Sequence, residues 1–455
     1  MCIVGAGPAG LALAQALDRA GTTTVVLERG NAPACGTPPP MEVTSEPELG
    51  DLSTTRASAL GGTATIWNTI RAGEAGAKYV ALDPIDFASR TITAHGGWPI
   101  DWATLEPWYC EAYRWLGLRE NQVPDGPTFP FFPDGLTSNH YHWGSARLFT
   151  DRVPAMLQAS KRSTLLSSTR VTELVATPDG AGVQSVEWRN TDGGTGSVTA
   201  KHVILAAGAI ENARMLMVFT SRQGRIPPDW LGRGFMEHPI DRSLTLYTRH
   251  PAASPVPGYY DFRGTTIGRI GLSAGLMQTH ELRNASLRLF VVRRSRPLQA
   301  LRHLSHVVGR TPRTTYRVLL DLEQAPHPDN RLILTDRRDG FDMPEVRLLW
   351  EWRPEDEAFR QKLRPVLQEE FRRSNAGELT LGPITPVDGN VHHHAGTTRM
   401  HREPEGGVVD ADLRVHTMRN LHIVGASVFP SCGVGNPTLT ILALSLRLAA
   451  RLNHP

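Results

Sequence analysis

Cysteine is scarce in this sequence, with four residues in a chain of 455. Cys2, Cys35, Cys110 and Cys432 form no CxxC pair and show no metal-ligand spacing. This pattern argues against a disulfide framework and against a metal site built on thiolates. We therefore expect reduced thiols and a cytoplasmic protein.

Two further features are missing: a long apolar run and a large excess of one charge. No segment approaches the roughly 20 consecutive apolar residues that a transmembrane helix needs. The net charge is only +3, which is too small to indicate nucleic acid as a partner. With 40% hydrophobic and 20% charged residues, the composition is typical of a globular protein, long enough for two lobes with a well-filled core.

The N-terminal segment shows a nucleotide-binding pattern. A short apolar strand at 1–4 runs into a glycine-rich turn, a helix follows, and a second strand ends at Glu28. Gly5 permits the tight turn, Gly7 lets a pyrophosphate approach the backbone, and Gly10 lets helix and strand pack closely. The pyrophosphate would lie at the helix N-terminus, and the acidic side chain would accept hydrogen bonds from ribose hydroxyls. We predict a dinucleotide site. The alternative is a glycine-rich loop of another α/β protein, and the pattern alone does not separate FAD from NAD.

A second pattern lies near the C-terminus. Three adjacent histidines open the segment 392–400, HHHAGTTRM, and the segment 435–440 is GNPTLT. In an extended chain neighbours point to opposite faces, so His392 and His394 could bind one metal ion that His393 could not reach. No carboxylate or thiol at ligand spacing completes such a site. We therefore predict no metal and favour a base beside a cofactor, with a buried histidine cluster as the alternative.

Taken in chain order, these motifs resemble the glucose–methanol–choline (GMC) oxidoreductases. They are most similar to the branch of pyranose oxidases and bacterial sugar dehydrogenases, where the second catalytic position is asparagine rather than histidine. The family's H-x-x-G-T motif matches the catalytic base to His393, three residues before Gly396, and the Gly-Asn-Pro-Thr match gives Asn436 as its partner. The resemblance implies that neutral His393 takes the hydroxyl proton of an alcohol as hydride passes to FAD. We expect this base to titrate near the ordinary histidine pKa of about 6.5.

A third segment, 56–68, resembles the family's Gly-Gly signature, whose following residues line the flavin ring. Pyranose and choline oxidases carry a histidine, joined covalently to FAD, at the fourth position after the second glycine; here that position is Ile66. An alkyl side chain cannot form the bond, so we predict that FAD is held non-covalently. The cofactor contacts that the resemblance implies are Gly5, Gly7, Pro8, Ala9, Gly10, Glu28, Arg29, Arg56, Gly61, Gly62, Thr65, Ile66, Asn68, Val171, Ala207, Gly208, Gly425, Ala426, Pro437 and Thr438.

The expected fold is α/β, with a Rossmann-like FAD-binding domain and an α+β substrate domain built on an antiparallel sheet. The FAD-binding domain is predicted to be discontinuous, and the substrate domain to include connecting or lid segments. The predicted ranges are 1–75, 160–240 and 385–455 for the first domain, and 76–159 and 241–384 for the second.

The resemblance implies a small-molecule substrate: a sugar, a glycoside or a related polyol with a CH–OH group. The electron acceptor is then oxygen, a quinone or a redox protein. Two alternatives stay open. The same scaffold could bind FAD and catalyse elimination or isomerisation, or the chain could be the flavin subunit of an electron-transfer complex.

The resemblance leaves one stretch unexplained. Residues 288–317 contain eight arginines and no acid. A basic surface helix is the plainer interpretation. The alternative is a site for an anionic partner, a negatively charged substrate or an anionic lipid surface, with membrane contact not favoured. A second histidine, His238, lies beside an acid in a stretch that also resembles the family, and is interpreted as structural.

Overall fold

The computed structural model describes residues 1–31, 41–46, 49, 52–90, 95, 97–118, 135–224, 228–248, 265–292, 314–374, 377–389 and 392–453. Most of the arginine-rich stretch, 293–313, therefore lies outside the described residues. In the described part of the chain, no helix is long and apolar enough to cross a membrane.

The strands and helices follow one another in the order below. The strands are β1 (Cys2–Val4), β2 (Thr24–Leu27), β3 (Met41–Glu46), β4 (Thr69–Arg71), β5 (Glu74–Tyr79), β6 (Leu136–Ser145), β7 (Ser163–Leu166), β8 (Thr169–Ala176), β9 (Val183–Asn190), β10 (Thr195–Val198), β11 (Val203–Leu205), β12 (Ile240–Thr248), β13 (Thr266–Leu272), β14 (Ala285–Val291), β15 (Thr314–Leu322), β16 (Arg331–Arg338), β17 (Pro344–Glu351), β18 (Glu378–Leu381) and β19 (Leu421–Ile423). The helices are α1 (Pro8–Arg19), α2 (Trp102–Trp115), α3 (Val153–Ala159), α4 (Gly208–Arg222), α5 (Ala274–Thr279), α6 (Pro354–Ser374) and α7 (Thr438–Asn453).

A parallel sheet of five strands, in the order β19-β11-β1-β2-β7, forms the centre of the first layer. Its apolar strands β19, β11 and β1 are buried along their whole length, as expected for a sheet covered on both faces. Helix α1 packs against β1 and β2, and α7 packs against both α1 and α2. Because parallel strands end at the same edge, the turns after β1, β2, β11 and β19 meet there.

An antiparallel sheet of eight strands forms the second layer, in the order β18-β12-β15-β14-β13-β6-β5-β4. One face packs its leucines and valines against α6, with Phe359, Leu363, Leu367 and Phe371 filling the space between. Alternation along β13, β14 and β15 turns the intervening residues to the opposite face. That opposite face forms a wall of the site.

Two smaller sheets complete the architecture: β10-β9-β8, which is antiparallel, and β16-β17-β3, in which β17 pairs parallel with β3. The predicted fold class, a Rossmann-like parallel sheet combined with an antiparallel-sheet lobe, is confirmed. The predicted domain limit at 75 falls within β5, a strand of the eight-stranded sheet. The domain boundaries stay a prediction.

Candidate active site

A cavity of about 560 Å³ lies between the carboxyl edge of the parallel sheet and the open face of the eight-stranded sheet. The predicted site residues come from eight separate stretches of the chain, and the fold brings most of them together here. Those that line the cavity are His393, Asn436, Gly5, Gly7, Pro8, Ala9, Glu28, Arg29, Arg56, Gly62, Ile66, Asn68, Val171, Ala207, Gly208, Gly425, Ala426, Pro437 and Thr438. Gly10, Gly61 and Thr65 are not among its lining residues.

The turn after β1 is built for close backbone packing. Gly5 has a φ of 108°, in the left-handed region that favours glycine. A Cβ on Gly10 would lie 1.9 Å from the carbonyl oxygen of Gly5, so only glycine lets α1 pack this close to β1. Gly7 precedes Pro8 at the first position of α1, and no side chain caps that N-terminus. The first N–H groups of α1 therefore face the cavity as an anion site.

The end of β2 carries a buried hydrogen-bond acceptor, the side chain of Glu28. The Glu28 carboxylate accepts hydrogen bonds from the backbone N–H groups of Ala6, at 2.8 Å, and Gly30, at 2.7 Å. Burial raises the pKa of Glu28 to about 7, while the two N–H donors act in the opposite direction. Each carboxylate oxygen has more than one acceptor direction, and the residue lines the cavity. It therefore fits the ribose-binding role predicted from the sequence.

The Gly-Gly turn packs directly on the first glycine loop. Gly61 donates its N–H to the Ala6 carbonyl at 2.9 Å, and both Gly61 and Gly62 have positive φ. A Cβ on Gly62 would lie 2.8 Å from the Cα of Gly7, so the two loops require glycine at their contact. The Thr65 hydroxyl donates to the Gly62 carbonyl at 2.8 Å, which turns it into the loop rather than towards the cavity.

The turns after β11 and β19 are joined by Asn212, which sequence reasoning did not select. Its side-chain oxygen accepts from the Ala207 N–H at 2.8 Å, and its Nδ2 donates to the Val424 carbonyl at 3.3 Å and the Ser427 hydroxyl at 3.1 Å. This buried amide fixes the two turns that carry Gly208 and Gly425 against the cavity.

These observations fit FAD. The uncapped α1 N-terminus suits a pyrophosphate, Glu28 suits a ribose, and the paired glycine loops leave space where side chains would otherwise stand.

His393 and Asn436 meet in the wall of the same cavity. The Asn436 Nδ2 group donates to His393 Nε2 at 2.9 Å. Within the described residues, the buried Asn436 Oδ1 has no hydrogen-bond partner, although the residue lines the cavity. An acceptor in this position can receive a hydroxyl group from a bound molecule.

A histidine chain determines which His393 nitrogen carries the proton. His238 Nε2 lies 3.3 Å from the Cys432 carbonyl, which can only accept, so Nε2 is the donor and Nδ1 the acceptor in neutral His238. His238 Nδ1 lies 2.9 Å from His393 Nδ1, which must then donate. The lone pair of His393 is therefore on Nε2, the nitrogen beside Asn436. His238 was interpreted as structural from the sequence, and the structure shows that it contacts His393 directly.

The imidazoles of His238 and His393 are both stabilised in the neutral form. Burial lowers the pKa of His393 well below 6.5, and repulsion from His238 and nearby cations acts in the same direction. Burial also lowers the pKa of His238, and this effect exceeds the attraction of Glu237. The pair can therefore keep His393 Nε2 unprotonated at neutral pH.

The other two histidines of the triplet have different positions. His394 Nδ1 contacts Glu237 at 2.5 Å and its Nε2 lies 2.8 Å from the Thr55 hydroxyl, while His392 is exposed with a φ of 71°. Glu237 also accepts from the His393 N–H at 3.0 Å, so it fixes the backbone of the triplet. Across the described residues, no three His, Cys, Asp or Glu side chains are placed to hold a metal ion.

The comparisons with known proteins agree with this arrangement. The GMC oxidoreductase family model matches residues 326–445, and an FAD-binding domain model matches residues 1–36. The chain is 26% identical to paromamine 6'-oxidase of Streptomyces fradiae, over 98% of this chain and 90% of that protein. It is 24% identical to the large subunit of fructose dehydrogenase of Gluconobacter japonicus, over 65% of this chain and 55% of that subunit.

Among solved structures, pyridoxine 4-oxidase from Mesorbium loti superposes with a TM-score of 0.56 at 18% identity, covering 100% of this chain and 99% of that one. At this identity the likeness concerns the fold. Together, the GMC oxidoreductase model over the C-terminal residues, the FAD-binding model over the N-terminal residues and the similarity to paromamine 6'-oxidase over nearly the whole length show that this chain is similar to the GMC oxidoreductases and is an FAD-dependent oxidoreductase.

Proposed function

We propose that the protein oxidises a CH–OH group of a sugar, glycoside or related polyol to a carbonyl, with His393 as the base. The contact between His393 Nε2 and Asn436 at 2.9 Å in the cavity wall is the observation that carries the proposal. The names of two relatives, a paromamine oxidase and a fructose dehydrogenase, support an alcohol of the sugar class.

FAD, held by the α1 N-terminus and Glu28, would supply the hydride acceptor for this oxidation. The chain's own residues handle the proton. His393 Nε2 receives the hydroxyl proton, because its other nitrogen is held as a donor to His238. Asn436 orients the hydroxyl oxygen and stabilises the charge that develops on it. The N-terminus of α7 begins at Thr438, beside the cavity, and its dipole favours negative charge there.

The acceptor after FAD is oxygen, a quinone or a redox protein. The experiment that tests the function, described below, should therefore compare oxygen with artificial dyes as electron acceptors.

We further propose that FAD is held without a covalent bond. Ile66 occupies the position where covalently flavinylated relatives carry histidine, and it lines the cavity with 39% of its surface exposed. Denaturing the purified protein with acid should release the yellow colour into the supernatant. A yellow pellet after washing, with flavin attached to a peptide in mass spectrometry, would contradict this proposal.

The function is tested by anaerobic mixing of the purified yellow protein with a panel of sugars, glycosides and simple alcohols. We expect the visible absorbance of the flavin to bleach with members of the sugar class, and to return when oxygen or a dye acceptor is added. Substrate turnover without bleaching and without any acceptor would instead indicate elimination or isomerisation. A protein that stays yellow with every alcohol, and reduces only through a second protein, would indicate an electron-transfer subunit.

A further inference from the structure

The cavity wall opposite the FAD-binding turns is strongly cationic. Arg242 on β12, Arg269 on β13, Arg288 on β14 and Lys78 on β5 all line the cavity from the eight-stranded sheet. One carboxylate of the same sheet, Asp321 on β15, lines it with them. We call these five residues the cationic wall. Of these five residues, only Arg288 was noted in the sequence, as part of the arginine-rich stretch.

The strand register places two of these cations side by side. β13 pairs with β14 so that Ile270 lies opposite Leu287, which sets Arg269 opposite Arg288 on the same face. Like charges directly opposite one another destabilise a sheet. Arg269 is only 4% exposed, so the repulsion is not relieved by bulk water. The arginine pair therefore needs a neighbouring carboxylate to stabilise it.

Asp321 holds the two guanidinium groups in place. It accepts from Arg288 Nε at 2.8 Å and from Nη2 in a bidentate pair, and from Arg269 Nη1 at 3.4 Å. Arg269 is also fixed over the ring of Tyr141, 4.2 Å from its centroid, and donates to the hydroxyl of Ser286. The positions of the charged groups are therefore set by the protein before any ligand arrives, which is how binding sites for planar anions are built.

The cationic wall and His393 face the same space. After burial and the effect of His238, the charges of Arg269, Lys78 and Arg288 contribute to lowering the pKa of His393. A molecule whose hydroxyl reaches His393 Nε2 therefore has the rest of its structure near these cations. Arg242, paired with Asp388 and with 47% of its side chain exposed, lies at the solvent side of the wall.

We propose that the substrate is a hydroxylated molecule that also carries an anionic group, a carboxylate or a phosphate, bound by Arg269, Arg288 and Lys78. This inference rests on the proposed alcohol oxidation and names its substrate class. The anionic group lies against the cationic wall, the hydroxyl-bearing carbon lies between His393 and the flavin, and Arg242 attracts the substrate at the entrance. The proposed anion site also gives a function to Arg288, which belongs to the arginine-rich stretch that the family resemblance left unexplained.

The test uses the holoenzyme and sets of sugars that differ only in charge: glucose, glucuronate, glucose 6-phosphate and glucosamine, and the same four forms of galactose. In anaerobic bleaching, the second-order rate constant of flavin reduction should be about 10- to 100-fold larger for the anionic members than for the neutral sugar, and smallest for the amino sugar. The advantage should shrink as salt is added. The uronate and phosphate arms distinguish a carboxylate from a phosphate substrate. Neutral sugars that react as fast as the anionic ones, in both sets, would overturn the inference and leave the alcohol oxidation standing.

Calorimetric titration of the holoenzyme with the same compounds separates binding from reaction. Binding of anionic sugars without bleaching would support the anion site and contradict the proposed oxidation. Neither binding nor bleaching with any member would overturn both.

Two substitutions test the cationic wall itself. Arg288→Gln removes a cation beside Asp321, and Arg242→Gln removes one from the solvent side, where folding is not at risk. Each should lower the preference for anionic over neutral sugars by about tenfold, mainly through a weaker calorimetric affinity. The matched control is Arg372→Gln, on the exposed surface of α6 and paired with Glu369, which should leave the preference unchanged. If the cations instead serve the chemical step, Arg288→Gln will slow every sugar equally and keep the preference, and the inference fails.

Discussion

Replacing His393 with alanine should slow the reduction of FAD by an alcohol substrate by about 10²–10⁴-fold, the usual contribution of general-base catalysis. FAD should stay bound, because the α1 N-terminus and Glu28 hold it in our proposal and the substitution leaves both unchanged. Alanine removes the only nitrogen that our assignment leaves as an acceptor towards the substrate, His393 Nε2. The measurement is the rate of anaerobic flavin bleaching at saturating substrate.

Two further variants show whether the effect comes from the base. His393→Gln keeps a polar side chain of similar length beside Asn436 but cannot take the proton, and it should be nearly as slow as the alanine variant. His280→Ala, at the end of α5 and away from the cavity, should react at the wild-type rate. Bleaching at an unchanged rate in His393→Ala would rule out this residue as the base.

The pH profile of the wild type gives the same test a second readout. A base loses its lone pair on protonation, so the rate falls as the pH drops through its pKa in the folded protein. The sequence alone suggested a fall near pH 6.5, but burial lowers the pKa of His393 well below that value. The wild type should therefore keep most of its bleaching rate at pH 6.5 and lose it only in more acidic buffer. His393→Ala should lack this acidic limb. A wild-type limb centred at or above pH 6.5 would contradict the assignment.

The sequence predicts which residues follow the strands and line the cavity, because strand ends and glycines are local signals. Gly5 follows β1, Glu28 follows β2, Gly208 follows β11 and Gly425 follows β19, and parallel strands carry all four to one edge. The placement of these residues around one cavity needs no long-range information beyond the strand order. Thr65 departs from the expectation because its hydroxyl bonds to the Gly62 carbonyl of its own turn, a local competition that spacing does not reveal.

The proton-handling and substrate-facing residues depend on contacts between distant segments. His238 and His393 are 155 residues apart, and only the folded chain shows that their Nδ1 atoms touch. A histidine beside an acid was the available signal for His238, and it does not distinguish a structural residue from one that sets a tautomer. For the cationic wall, alternation along β13 and β14 predicts two faces. The alternation does not predict which face is covered. In the structure α6 packs on the leucine face, and Arg269 and Arg288 lie on the face that lines the cavity.

Replacing Gly7 with valine should weaken FAD binding by about 100-fold, equivalent to the loss of one or two hydrogen bonds to a charged phosphate. A Cβ at this position would meet nothing nearer than the Cα of Gly62, at 3.8 Å, so the polypeptide itself has room for it. The side chain would instead occupy the space through which a pyrophosphate approaches the α1 N–H groups. The measurement is the dissociation constant of FAD for the apoprotein, from the change in flavin fluorescence, together with the thermal unfolding of the apoprotein.

The contrast with Gly10 makes this result specific. A Cβ on Gly10 would overlap the carbonyl oxygen of Gly5, so Gly10→Ala should lower the melting temperature of the apoprotein as well as the FAD affinity, because α1 must move away from β1. Gly7→Val should lower the free energy of unfolding of the apoprotein only by the modest effect of an N-cap substitution, about 1 kcal/mol. The melting temperature should therefore change little. Gly340→Val, at an exposed turn with no atom within 4 Å of an added Cβ, is the control and should change neither quantity. If Gly7→Val binds FAD as tightly as the wild type, the pyrophosphate does not lie at the α1 N-terminus. The orientation of the cofactor, and with it the place of the flavin beside His393, would then have to be reassigned.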